Sequence, residues 1–208
     1  RSDLIIEATA MNSSYKIASE TLMASRDIMI LSVGGIITRY LYLVRLARRK
    51  KSRIYIPSGA ICGIDGVKAA AMGSIKKVIL TTRKPPQGFR GVPYIAKKKI
   101  RLDHHLKKDL IIFEGNAIAA LRNFPQNINV AATLAISGIG PEKTIVRIIA
   151  SPGIMRNTHE VEVISDSGSI VCRSENVIHP SNPKTSYLAV LSAAAMLRRI
   201  LHPLECGT

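Results

Sequence analysis

The side chain in this sequence best suited to proton transfer is that of His159. It follows a loop containing Pro152 and Gly153, at the point where apolar and polar residues begin to alternate as in a strand. The ordinary pKa of histidine lies near neutrality, so its imidazole can both accept and donate a proton at physiological pH. The sequence therefore predicts an acid–base residue where a loop becomes a strand. The alternative is a histidine that packs beside Val161 and Val163 on one strand face.

Three other segments place polar or flexible groups where a predicted helix begins. Residues 57–65 join a strand to a helix, and their backbone amides could face a ligand. Asn127 and Asn129 stand at a second helix start, where Asn129 can cap the helix while Asn127 reaches outward. Residues 182–186 hold Lys184 and two hydroxyls at a third. A glycine-rich turn, plain capping and a solvated lysine are the simpler explanations.

A glycine-rich dinucleotide-binding fingerprint is absent from the sequence. Residues 138–143 look faintly similar, but Pro141 and the strand that follows indicate a turn. A strand–helix–strand unit with the fingerprint needs about 30 residues, and none precede the first predicted strand at Asp3. We therefore expect this chain to lack the phosphate-binding half of a nucleotide-binding domain.

The order of predicted elements indicates an α/β part followed by an α+β part. Over residues 1–56, strands at 3–8, 27–33 and 53–56 alternate with helices, which is the order of a parallel sheet with crossover helices. Residues 57–185 mix helices and strands, with an exposed excursion at 83–107 and a hairpin turn at 166–168. A closing helix is expected from 184, so that residues 186–208 pack back on the first part.

Several details of the helices follow from the same patterns. Asn12 and Ser13 are candidate caps of the first helix, and a helix at 38–51 is expected to bury Leu41, Val44 and Ala47. The packing stripe of the closing helix is expected to contain Leu188, Leu191, Ala195 and Met196.

The composition is strongly basic, with a formal net charge of +16 over 208 residues. Such a charge suggests nucleic-acid binding, and the cations cluster at 45–53, 97–101 and 107–108. Aromatic residues are only 4 % and Trp is absent, so surfaces for stacking bases are scarce. Solvated helix faces and loops explain the clusters more simply, and they would still concentrate an anionic substrate.

The cysteines and the apolar runs indicate where the protein works. Cys62, Cys172 and Cys206 are widely spaced and match no metal or disulfide pattern, so we expect no metal site and a reducing cytoplasm. The apolar runs are short and interrupted by charge, so neither a membrane span nor a signal peptide is expected.

Six segments, in this order, resemble the archaeal and bacterial L-aspartate dehydrogenase family. Each is a weak signal alone, and together they extend over nearly the whole chain. They are the turn at 57–65, Lys-Pro-Pro at 84–86, Phe-Glu-Gly at 113–115, Asn-Phe-Pro-Gln-Asn-Ile-Asn-Val-Ala-Ala-Thr at 123–133, Asn157-X-His159, and Asn-Pro-Lys-Thr-Ser at 182–186.

The resemblance implies a fold, an activity and a set of site residues. The fold is a Rossmann-like domain, here partial, followed by an α+β catalytic and dimerisation domain. The activity is oxidation of L-aspartate to iminoaspartate with NAD or NADP, which feeds NAD biosynthesis. His159 would be the catalytic histidine, Ala60 and Asn129 would touch the cofactor, and Lys184 and Asn157 would bind the substrate. The implied protein is a homodimer.

Two other functions remain open from the residues alone. A dimerising remnant without catalysis would fold but show no response to the cofactor. A basic nucleic-acid-binding protein would bind with a steep salt dependence.

Overall fold

The computed structural model describes residues 2–102, 106–125, 128–204 and 206–208, apart from the side chains of Pro183 and Lys184. Its described strands form a three-stranded parallel sheet, a five-stranded mixed sheet and a two-stranded ribbon. This agrees with the expected α/β part followed by an α+β part. None of the described helices is long and apolar enough to cross a membrane.

The parallel sheet is built by the N-terminal quarter of the chain, in the order β1-β2-β3. Its central strand is apolar throughout its last three residues, and Ile28, Met29 and Ile30 are all buried because elements cover both faces. Its elements are β1 (Leu4–Glu7), α1 (Met11–Met23), β2 (Asp27–Ile30), a 3-10 turn (Val33–Gly35), α2 (Tyr40–Lys50) and β3 (Ile54–Tyr55).

The mixed sheet has the order β5-β6-β4-β7-β8. Its central strand β4 runs parallel to β6 and antiparallel to β7, and the two outer pairs are antiparallel. Its strands are β4 (Ile75–Lys84), β5 (Leu110–Asn116), β6 (Ile145–Ala150), β7 (Asn157–Ser165) and β8 (Gly168–Asn176).

Short helices cover one face of this sheet and close the core. Val78 and Leu80 of β4 and Val161 and Val163 of β7 are buried there, in one cluster with the small residues of α6. The remaining elements are α3 (Ile64–Ala70), a 3-10 turn (Pro86–Phe89), α4 (Pro93–Lys97), α5 (Ala117–Asn123), α6 (Ile128–Ser137), β9 (Ile178–His179), β10 (Asn182–Ser186) and α7 (Tyr187–Leu201).

Two predicted turns are confirmed. Asp166 and Ser167 form the two-residue turn between β7 and β8, with Ser165 paired to Gly168. Residues 138–143 form a turn and not a nucleotide-binding loop, with Gly140 at a φ of +86°. That backbone conformation favours glycine because a side chain would clash with its own peptide groups.

The prediction of a helix start at residues 182–186 was wrong. Those residues form β10, which pairs with β9, and α7 begins only at Tyr187. The Asn-Pro pair that suggests a cap is also compatible with the first residues of an edge strand, where proline is tolerated. Helix α7 has no buried residue in the described chain, and its expected packing residues Leu188 and Leu191 are 40 % and 49 % exposed.

Three details of helix packing also differ from expectation. In α2, Leu41 and Val44 are exposed while Leu43, Leu46 and Ala47 are buried. The helix carries apolar residues on more than one face, so contact with the sheet decides which face is covered. Helix α1 begins at Met11, before the expected caps, and has no side-chain cap. The excursion at 83–107 is not wholly exposed, because Phe89 is buried in the core.

Candidate functional site

The backbone register of three strands determines what surrounds His159. In β7 it lies directly opposite Thr82 of β4 on one side and Ser174 of β8 on the other. Direct cross-strand partners point to the same face of a sheet, so the three side chains form a row. The Thr82 hydroxyl and His159 Nδ1 are 2.9 Å apart and hydrogen-bonded. The ring is therefore oriented by a polar partner, although it also shares its strand face with Val161 and Val163.

Burial and a nearby cation keep His159 neutral. Burial, and secondly the positive charge of Lys84, lower the pKa of His159 from 6.5 to about 4. Lys84 lies two residues beyond Thr82 in β4, on the same face, and burial lowers its pKa as well. At neutral pH the imidazole is thus uncharged and able to accept a proton. Lys84 belongs to the Lys-Pro-Pro segment, yet sequence reasoning assigned it no role.

Ala60 lies one strand away from His159. Its carbonyl oxygen accepts hydrogen bonds from Ser174 Oγ at 2.8 Å and Asn176 Nδ2 at 3.1 Å. Asn176 is buried, and its Oδ1 accepts a bond from Ser186 Oγ at 2.8 Å. Ser174 is the cross-strand neighbour of His159, so its hydrogen bond holds the segment that contains Ala60 beside the imidazole. Sequence reasoning missed both anchoring residues, since their role depends on strand register.

Asn129 connects the two sheets. Its Oδ1 accepts a hydrogen bond from the backbone N–H of Gly34 at 2.9 Å, rather than capping its own helix. A Cβ on Gly34 would stand 2.2 Å from Ile128 Cγ2, so only glycine permits this approach. Gly34 follows β2, so the contact joins the carboxyl end of the parallel sheet to the start of α6.

The start of α6 also faces the row of site residues. Ile128 lines a cavity of about 10 Å³ together with Thr82 and Lys84 of β4. Asn129, next to Ile128, is thereby close to the strand end that bears the partner of His159. The structure thus places Ala60 beside the strand next to His159, and the residue before Asn129 against Thr82 and Lys84.

The two remaining predicted residues are placed less completely. Asn157 begins β7, on the face shared with His159, and lies opposite Asn176. The backbone of Lys184 belongs to β10, whereas its side chain, like the whole of Asn127, falls outside the described residues. Among the described residues, no group of three His, Cys, Asp or Glu side chains could hold a metal.

The arrangement fits a nicotinamide cofactor. Open parallel sheets bind nucleotide ligands at the carboxyl ends of their strands, which is where Gly34 meets Asn129. Asn129 is itself exposed, so its amide group can donate to a bound molecule, and Ala60 presents no side chain beyond a methyl.

Comparison with known proteins identifies the family. Residues 65–200 match the family model described as "Aspartate dehydrogenase, C-terminal". The chain is 45 % identical to L-aspartate dehydrogenase of Methanosarcina mazei, over 99 % of this chain and 76 % of that protein. It is 39 % identical to L-aspartate dehydrogenase 3 of Bordetella bronchiseptica, over 99 % and 75 %.

A solved structure gives the same result. The crystal structure of aspartate dehydrogenase from Thermotoga maritima superimposes with a TM-score of 0.82 at 26 % identity, covering 99 % of this chain and 78 % of that one. These matches favour a nicotinamide-dependent dehydrogenase over a nucleic-acid-binding protein. The chain belongs to the aspartate dehydrogenase family.

Proposed function

We propose that this protein oxidises L-aspartate to iminoaspartate by hydride transfer to NAD or NADP, with His159 as the catalytic base. The observation that carries the proposal is the hydrogen bond between Thr82 and a His159 imidazole whose pKa is lowered to about 4. This imidazole is partly buried, oriented and uncharged at neutral pH, so it can take a proton once a bound ligand raises its pKa. The product would serve NAD biosynthesis in the cytoplasm.

The first chemical task is to deprotonate the substrate. The α-amino group of aspartate is an ammonium at neutral pH, and its lone pair must be free before hydride leaves the α-carbon. His159 Nε2 would take that proton. For Nε2 to be the acceptor, Nδ1 must carry the ring's hydrogen and donate it to the Thr82 hydroxyl. General-base catalysis of this type accelerates a reaction by roughly 10²–10⁴-fold.

Substrate binding itself would strengthen this base. Two carboxylates bring negative charge towards Lys84, the cation that helps lower the pKa of His159. Their charge would offset that of Lys84 and raise the pKa of the imidazole. The base would thus become stronger when a dicarboxylate occupies the site. Asn157 and Lys184 are our further candidates for carboxylate contacts.

The cofactor would lie between the two sheets. A nicotinamide supplies the hydride acceptor, and Ala60 and Asn129 would hold its ring. The hydrogen bonds from Ser174 and Asn176 fix the position of Ala60, and the Gly34 contact fixes Asn129. Residues held in place by such hydrogen bonds need less ordering when a ligand binds.

We further propose a domain division and a homodimer. Residues 1–56 would belong to the nucleotide-binding domain, residues 57–185 would form the catalytic and dimerisation domain, and residues 186–208 would form the closing helical segment. Helix α7 supports dimerisation because it exposes Leu188, Val190 and Leu191. An exposed apolar face of this kind is typical of a surface covered by a partner.

The test of the proposed function combines activity with titration of His159. We expect L-aspartate, but not D-aspartate, to produce reduced cofactor measured at 340 nm, with NAD and NADP compared side by side. We also expect succinate, an unreactive dicarboxylate, to raise the pKa of His159 above about 4 in an NMR titration. Propionate, with one carboxylate, should raise it less. Absence of both turnover and any succinate effect would refute the proposal.

A further inference from the structure

The segment that carries Ala60 lies along β8 in a fixed register. At one end, Ala60 is bonded to Ser174 and Asn176. Further on, a Cβ on Gly66 would be 3.1 Å from Ile170 Cδ1, which places that glycine against the other end of the strand. Residues 60–66 therefore follow β8 in the opposite direction, and the residues between these contacts face the middle of the strand.

The middle of this contact contains two thiols. A Cβ on Gly63 would stand 2.7 Å from Cys172 Sγ, so the Cys172 thiol lies against the backbone of the residue after Cys62. The thiols of Cys62 and Cys172 are close enough to interact, and both residues are partly buried. The pair is not evident from the sequence, because Cys62 and Cys172 are far apart in the chain. They come together only where residues 60–66 lie along β8.

We propose that Cys62 and Cys172 form a reversible disulfide that links the Ala60 segment to β8 when the protein meets a peroxide. One thiol attacks the peroxide to give a sulfenic acid and water or an alcohol. The other thiol then displaces hydroxide from that sulfur, which forms the S–S bond and releases water once a proton is added. Two thiols are oxidised and one peroxide bond is reduced. A small dithiol returns the pair to its reduced state.

The surroundings of Cys62 control how readily this happens. Burial, and secondly the neighbouring Cys172, raise the pKa of the Cys62 thiol. Less reactive thiolate is therefore present at neutral pH, and the reaction should accelerate as the pH rises. The dithiol thus persists under ordinary conditions and closes under oxidative stress. Closure would restrain Ala60 beside the strand next to His159.

Peptide mapping of the oxidised protein tests the inference directly. The Cys206→Ser variant is used first, because Cys206 is exposed and could pair with either thiol or with another chain. Hydrogen peroxide at pH 8 should remove both remaining free thiols. Trypsin without reductant should then release residues 54–68 joined to residues 157–173, each peptide containing one cysteine. Dithiothreitol should separate the peptides and restore both thiols.

Matched variants distinguish a specific pair from general oxidation. Cys62→Ser and Cys172→Ser should each leave the remaining cysteine without a partner, so that no joined peptide forms. The same mapping is repeated on the unsubstituted chain, so a folding defect in any serine variant would not decide the result. The inference is overturned if the two thiols stay free, oxidise separately to sulfinic acids, or join only Cys206. It does not depend on the proposed function, since the readout is the bond itself.

Discussion

Each sheet holds an ionisable group near a strand end, and the surroundings of the two groups differ. Glu7 ends β1 in the parallel sheet and is 1 % exposed. Its carboxylate accepts hydrogen bonds from Thr9 N, Thr9 Oγ1, Ser14 Oγ and Ser32 N, at 2.7 to 3.1 Å. His159 in the mixed sheet has one hydrogen bond among the described contacts, with Thr82, and lies near a cation.

The difference separates a structural charge from a reactive one. Four donors satisfy the carboxylate oxygens of Glu7, and they hold the loops after β1 and β2 at one point. Burial and Lys84 instead disfavour the charged form of His159. A carboxylate whose oxygens are already hydrogen-bonded within the protein has few positions left for a substrate. His159 is instead destabilised in its protonated form until a ligand changes its surroundings. Glu7 and His159 should therefore respond differently to substitution.

The largest effect is expected from His159→Asn. Without the imidazole there is no base for the substrate ammonium, so kcat should fall by roughly 10²–10⁴-fold. The KM for the cofactor should change far less, because Asn129 and Ala60 are untouched. Steady-state measurement of cofactor reduction checks this. His202→Asn is the control, since His202 is exposed beyond α7. Equal losses in kcat and cofactor affinity would indicate that His159, like Glu7, has a structural role and not a reactive one.

The next effect concerns the stability supplied by Glu7. Glu7→Ala leaves buried donors of Ser14 and Ser32 without an acceptor, so the free energy of unfolding should fall by about 3 kcal/mol. Glu7→Gln retains one oxygen and should cost less. Urea denaturation measures both.

Glu20→Ala provides the matched control for that experiment. The Glu20 side chain is 66 % exposed and only 3.9 Å from Lys16 in an i,i+4 pair. Its removal should therefore change the unfolding free energy by less than about 0.5 kcal/mol. A comparable loss for Glu7 and Glu20 would show that the buried carboxylate is not a structural anchor.

The sequence predicted the local part of both regions better than their contacts. Strand β2 and the turn at Asp166 follow from short-range patterns and are confirmed. The partners of His159 could not be predicted, because β4 and β7 are distant in sequence and their register is set by packing. The helix start predicted at Asn182 is instead the first residue of a strand, since the same residue types begin helices and edge strands. The roles of Ala60, Asn129 and His159 remain predictions.

The pH dependence of stability should report the lowered pKa of His159. Its pKa is about 4 in the folded state and near 6.5 when unfolded, so between these values only the unfolded chain takes up the proton. The contribution is complete above pH 6.5 and is lost as the pH falls to about 4, amounting to about 3 kcal/mol. The free energy of unfolding is measured by urea denaturation at several pH values. As the pH falls from 6.5 to about 4, it should decrease more for the protein than for His159→Asn. Parallel curves would show that the imidazole is not held neutral by the fold.

The smallest expected effect separates the two causes of that lowered pKa. Lys84→Met removes the cation but retains most of the side-chain volume, so the pKa of His159 should rise from about 4 while remaining below 6.5, because burial is the larger cause. Arg83→Met deletes the same charge one residue away, on the opposite sheet face, where Arg83 pairs with Asp109 and Glu160. It should leave the His159 titration unchanged by NMR. If both variants raised the pKa of His159 equally, the position of Lys84 would not matter. The lowered pKa would then result from the net positive charge of the whole chain.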